Sequence, residues 1–131
     1  MIIKNTLILD AARDKIFLTH IFDKNIYTCS HENSKINFEK MIVLINDFLK
    51  TNKSKLDEIN AIYVNRGPGS FAGIRNSLSI IKALFLTKGI DYYCYSFADF
   101  VGIKQIKYED VPNLCKKFKI KKNLINPIYL S

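Results

Sequence analysis

The residues best suited by type and spacing to do chemistry lie in one uninterrupted run, Arg66-Gly67-Pro68-Gly69-Ser70-Phe71-Ala72-Gly73-Ile74-Arg75. Gly67 and Gly69 reach backbone angles that residues with a Cβ resist. Pro68 stiffens the turn between them, Ser70 is placed to cap a following helix, and Gly73 leaves room for a close neighbour. A glycine turn that opens a helix can hold an anion on free backbone N–H groups. Gly67, Gly69 and Ser70 are therefore candidate ligand-binding positions, and a purely structural turn is the alternative. The spacing G-x-x-x-x-G-K-[ST] is absent, so the run is not a P-loop. Arg75 can clamp a carboxylate with two hydrogen bonds, inside the chain or on a partner.

Other reactive side chains are sparse. His20 lies within a strand-like run and His31 precedes a helix, and no Ser–His–Asp set is recognisable around them; both read as ordinary residues. Cys29, Cys94 and Cys115 are odd in number, widely spaced and free of any C-x-x-C. That pattern speaks against a disulfide framework and against a zinc site, and for free thiols in a reducing cytosol. No catalytic residue, metal site or cofactor is expected.

The formal net charge is +8, carried mainly by lysine, with Arg13, Arg66 and Arg75 as the arginines. Such a balance suits nucleic acid or another acidic partner. It also fits an AT-rich codon bias, given the many Ile and Asn residues. The densest stretch is KKFKIKK, Lys116 to Lys122, built around Phe118 and Ile120. The 131 residues suffice for one domain. The longest apolar runs fall well short of the roughly 18 residues of a membrane span, and no signal peptide is visible. The expectation is a cytoplasmic protein with no membrane contact.

The elements that must position these residues follow from hydrophobic periodicity. Thr6 to Ala11, Lys15 to Phe22 and Ile26 to Ser30 read as three short strands joined by tight polar turns. From Ser34 to Thr51 the period becomes helical, with Phe38, Met41, Ile42, Ile45, Phe48 and Leu49 on one broad face that Leu44 widens. Asn33 or Ser34 can cap it. Ala61 to Val64 is a strand entering the glycine turn, Ala72 to Lys88 a helix stopped by Gly89, and Ile90 to Tyr95 a strand. Phe97 to Ile106 reads as a helix, and Asp110-Val111-Pro112 starts another. Asn126 to Ser131 reads as an extended tail. The order β-β-β-α-β-α-β implies an α/β fold with a mixed five-stranded sheet. This is a single ribonuclease-H-like lobe, of the type shared by actin, the large heat-shock chaperones and the sugar kinases. The lobe is expected over residues 1–106, with 107–131 as a short helical segment and tail of the same domain. In nucleotide-using relatives of that fold an acid placed like Asp10 helps hold Mg²⁺; here Asp10 reads either as a local cap or as such a contact.

The helix after the glycine turn carries two stripes, Ile74, Leu78, Ile81 and Phe85, and, roughly 100° around, Gly73, Ser77, Ile80 and Leu84. Two stripes require two packing partners. By size, the large residues suit the sheet and the small ones a close helix.

Gly67 to Arg75, GPGSFAGIR, resembles the GPGSFTGLR signature of the TsaB (YeaZ) family. Leu7-Ile8-Leu9-Asp10 resembles that family's opening strand, Glu39 to Leu49 its first helix, Leu56 to Ile62 the approach to its fourth strand, and Pro127-Ile128-Tyr129-Leu130 its ending. The match covers about residues 5–100. Departures are Asp10-Ala11-Ala12 for the usual Asp-Thr-Ser, Asn37 for a histidine, Ala72 for the signature threonine and Ser131 for a final arginine. Most of a second lobe is missing. The resemblance implies a non-catalytic partner subunit in the transfer of threonylcarbamoyl to a tRNA adenosine. It would bind a TsaD-like catalytic subunit through its first two helices, reach tRNA through that complex, admit a TsaE-like ATPase as a further partner, and form a homodimer when alone. The TsaD H-x-x-x-H metal motif does not follow His31. The implied interface is Met41, Ile45 and Phe48 with Gly73, Ser77, Ile80 and Leu84. The signature turn is Gly67, Pro68, Gly69, Ser70, Phe71, Gly73 and Arg75. Alternatives are an ATP-dependent phosphotransferase or peptidase-like hydrolase of the same fold, and a small basic RNA-binding module.

Overall fold

The structure is a computed structural model that describes residues 4–129. Strands β1 (Asn5–Asp10), β2 (Lys15–Phe22) and β3 (Asn25–Glu32) form an antiparallel meander. A two-residue turn joins β2 to β3, with Asp23 at φ 56, a conformation that Asp tolerates better than most residues. Helices α1 (Lys35–Glu39) and α2 (Met41–Thr51) follow, then β4 (Ala61–Asn65), α3 (Phe71–Lys88), β5 (Asp91–Tyr95) and α4 (Val111–Lys117). The sheet order is β3-β2-β1-β4-β5, with β1–β4 and β4–β5 parallel. This is the mixed five-stranded sheet that the element order implied.

β1 lies at the centre and is buried along its whole length. Its alternation divides the core in two. Leu7 and Leu9 meet the helical layer, where Met41, Ile45, Phe48 and Leu49 of α2 and Ile74, Leu78 and Ile81 of α3 are buried. Ile8 faces the other way, toward Tyr95, Phe100, Val111 and Cys115. The helices α1, α2 and α3 therefore cover one face, and the segment after β5 covers the second. β3, at the sheet edge, shows a partly exposed alternation.

Two expectations need correction. The helix expected over Ser34 to Thr51 is two helices broken at Lys40, whose φ is −107; the Ser34 cap is present, its Oγ accepting from Asn37 N–H at 3.2 Å. The helix expected over Phe97 to Ile106 is a single 3₁₀ turn, Phe97–Asp99. There the Ser96 and Asp99 side chains satisfy the local backbone N–H groups reciprocally, and Gly102 at φ 87 turns the chain away. The helix begun near Asp110 is observed, with Pro112 in its first turn. Leu130 and Ser131, expected in the tail, lie outside the described residues.

Candidate functional site

The end of β1, the glycine turn and the chain after β5 converge on one spot. Asp10 is fully buried. One carboxylate oxygen accepts from Ala12 N–H at 3.0 Å, the other from the Tyr108 hydroxyl at 2.6 Å. Burial raises its carboxyl above the ordinary range, opposed by the bonds from Tyr108, Asn65 and Ala12 and by the Arg13 charge. Tyr108 also accepts from Arg13 Nη1 at 3.2 Å, and burial followed by the neighbouring Asp10 carboxylate pushes its phenol up. Of the two readings of Asp10, this geometry favours the structural one, because both oxygens already have donors. Nothing in the sequence around Tyr108 marks it as the partner of Asp10.

The glycine turn is spent on packing rather than left open. A Cβ on Gly69 would overlap the carbonyl oxygen of Ala12, and one on Gly73 that of Ala11. Gly67 sits at φ 109, follows the main chain past Ile128 closely, and precedes a cis peptide bond to Pro68. The backbone N–H groups are largely committed: Gly67 to Asn65 Oδ1 at 2.9 Å, Ser70 to Ala12 O at 2.8 Å, Gly73 to Ser70 Oγ at 3.2 Å and Ile74 to Ser70 O at 2.9 Å. An anion on the N–H groups of Gly67, Ser70, Gly73 or Ile74 would have to displace these bonds. Gly67, Gly69 and Ser70 are thus the joint between α3 and the β1–β2 turn.

The two-bond carboxylate clamp expected of Arg75 is made by Arg66 instead. Arg66 reaches Asp99 through Nη2 at 2.7 Å and Nε at 3.4 Å, and the Asn126 carbonyl at 3.1 Å. Its own carbonyl accepts from Ile128 N–H at 2.8 Å. This residue ties β4 to the chain after β5 and to the tail. Arg75 is exposed and lies over the Phe71 ring, 5.7 Å from its centroid; Phe71 in turn meets Tyr129 at 4.7 Å.

His20 is fully buried, with Nε2 2.6 Å from Asn5 Oδ1 and Nδ1 3.1 Å from Asn52 Nδ2. Desolvation lowers its pKa from the ordinary 6.5, so it is a neutral structural link between sheet and α2. The thiols of Cys94 and Cys115 are buried, and burial pushes each up to about 12. Among the described residues, no group of three or more His, Cys, Asp or Glu side chains converges as a metal site.

The residues of the expected interface are turned largely inward. Met41, Ile45, Phe48, Gly73, Ser77 and Leu84 are all buried within the chain, and Ile80 is half-buried. The reason is that α1 and α2 contact α3 directly. Gly73, in the second stripe of α3, packs on the main chain of Ala11, and Ser77 is fully buried with its hydroxyl donating to Ile74 O at 3.0 Å. In the stripe expected to face the sheet, Ile74, Leu78 and Ile81 are buried and Phe85 is half-buried. The apolar residues that the helical layer exposes are Ile36, Val43, Phe71 and Leu86, from 49% to 71% accessible.

The fold so described is a single lobe of the actin-like, ribonuclease-H-like kind. YeaZ from Pseudomonas aeruginosa superposes on 74% of this chain with a TM-score of 0.66, at 18% identity and over 46% of its own chain. In sequence, the TsaB of Buchnera aphidicola (strain Bp) is 35% identical over 50% of this chain and 35% of its own length. The TsaB of Escherichia coli is 38% identical over 37% of this chain and 21% of its own. That of Buchnera aphidicola (strain Sg) is 30% identical over 66% and 41%. Each of the three is called a tRNA threonylcarbamoyladenosine biosynthesis protein. A family model described as "TsaD: tRNA N6-adenosine threonylcarbamoyltransferase" matches residues 32–96. The chain is similar to the TsaB (YeaZ) proteins in sequence and in fold, and it spans less than half the length of the curated relatives it matches.

Proposed function

We propose that this chain serves the threonylcarbamoyl modification of tRNA as a non-catalytic partner subunit, docking a TsaD-like catalytic protein with the outer side of its helical layer. The observation that carries this reading is the commitment of the candidate chemical groups to structure. Asp10 is held by Tyr108 and Ala12, and the glycine turn gives its N–H groups to Asn65, Ala12 and Ser70. Ile36, Val43, Phe71 and Leu86 meanwhile leave large apolar side chains in water on the layer formed by α1, α2 and α3. Exposed apolar surface of this kind suits a protein interface. Similarity to TsaB proteins agrees with a place in that pathway, and the match to a TsaD-type family model agrees with pairing between two chains of like fold.

Co-elution of the chain with a TsaD-like protein on size exclusion tests the proposal. A complex that forms with the unaltered chain and is lost on V43E/L86E supports it. A complex indifferent to that pair places the contact elsewhere. The same surface supports a two-fold homodimer when no partner is present, because a self-complementary patch closes that way.

A further inference from the structure

We infer that the sheet face opposite the helical layer carries a binding cleft for a single-stranded RNA segment. The cleft has a volume of about 510 Å³ and lies between α4 and the starts of β1 and β4. Tyr63 and Tyr93 line it, stacked on each other from neighbouring strands with ring centroids 4.8 Å apart and planes 9° from parallel. Lys4, Lys116 and Lys119 surround them, and no acidic residue is among the lining side chains.

The lysines are displayed by built structure. At the end of α4, Phe118 N–H donates to Leu114 O at 2.9 Å and Ile120 N–H to Cys115 O at 2.9 Å, with Lys119 at φ 55 between them. Phe118 and Ile120 pack against the second core, and the lysines between and beside them, Lys116, Lys117, Lys119, Lys121 and Lys122, are all exposed. Lys122, bridged to Tyr93, has its ammonium 3.8 Å from the Asp91 carboxylate, so the positive edge ends there. From Val111 to Tyr129 the chain carries these five lysines and no acid.

Three ammonium groups around a stacked aromatic pair, which a base can extend, match phosphates alternating with bases. Lysines neutralise the backbone, and aromatic surface is sequence-tolerant toward bases. In the same cleft, the Asn113 amide and the Nδ2 of Asn60, whose Oδ1 accepts from Asn5 N–H, are placed to meet base edges. An acidic peptide would use the charge alone. The cleft and the helical layer lie on opposite faces, so a protein partner and RNA can be held together, and the inference does not depend on the proposed partner.

The test is fluorescence anisotropy of a labelled oligouridylate of about 12 nucleotides with the purified chain, across a salt series. K116E/K119E should weaken binding at least tenfold and flatten the slope of log K against log salt by about 1.4, the loss of two single-strand phosphate contacts. K50E/K82E, charge reversals at exposed helical-layer lysines, should change it less than twofold. Unaltered thermal unfolding of both pairs certifies the fold. Equal losses from the two pairs, no binding by the unaltered chain, or competition by polyglutamate as effective as unlabelled RNA at matched charge would each overturn the inference.

Discussion

Tyr108 donates a 2.6 Å hydrogen bond to Asp10 across 98 positions of sequence, and this contact closes the second face of the sheet over the end of its central strand. Tyr108→Phe should therefore destabilise the fold by about 1–3 kcal/mol, the penalty for leaving a buried acceptor short of a donor. Denaturant unfolding at neutral pH measures it.

The same site sets a pH dependence. Burial first of all raises the folded carboxyl of Asp10 above the ordinary 3.8. A raised folded pKa gives stability that is present below 3.8 and lost as pH rises through the folded value. Compared with Asp10→Asn, the unaltered protein should therefore lose stability as pH rises from below 3.8 toward neutrality. A difference that moves the other way would show that the hydrogen bonds outweigh desolvation.

His20 works in a different window. Its pKa is lowered by desolvation, so as pH falls below about 6.5 the unfolded chain takes up the proton before the folded one does. Stability is present above that range and is lost on acidification. His20→Gln should flatten the slope of unfolding free energy between pH 7.5 and the folded pKa, a result checked by urea titrations at stepped pH.

The glycines are predicted to differ in kind. Gly69→Ala and Gly73→Ala force a Cβ into the carbonyl oxygens of Ala12 and Ala11, backbone atoms that cannot swing aside. Each should cost at least the 1–3 kcal/mol typical of overpacking. A Cβ added to Gly89 would meet nothing within 4 Å, but the residue sits at φ 68, so Gly89→Ala should cost only about 1–2 kcal/mol of left-handed strain. Thermal unfolding of the three variants orders them.

The architecture was largely legible because it rests on local patterns. The β-meander, the strand–turn–helix around Gly67 and the Pro112 helix start each announce themselves in a few residues. What escaped were long-range relations. Hydrophobic stripes tell that α3 has two partners, but not that both stripes are covered largely within the same chain. Ser77 accordingly moved from an expected interface to the core, and Ser77→Arg should unfold the chain, since it buries an unpaired charge. Arg66 and Arg75 flank one motif, and only folding brings Asp99 and Asn126 to the first of them. Asp10 was visible as an acid at the end of the first strand, whereas Tyr108 stood in a polar stretch with no pattern to mark it.

Reconstituted threonylcarbamoyl transfer to tRNA tests the account most directly, with a TsaD-like protein assayed alone, with this chain, and with its V43E/L86E variant. The chain by itself should turn over nothing, should raise transfer when added to the TsaD-like protein, and should lose that effect in the variant while its thermal unfolding is unchanged. Transfer by the isolated chain, abolished by Asp10→Ala, would contradict the account.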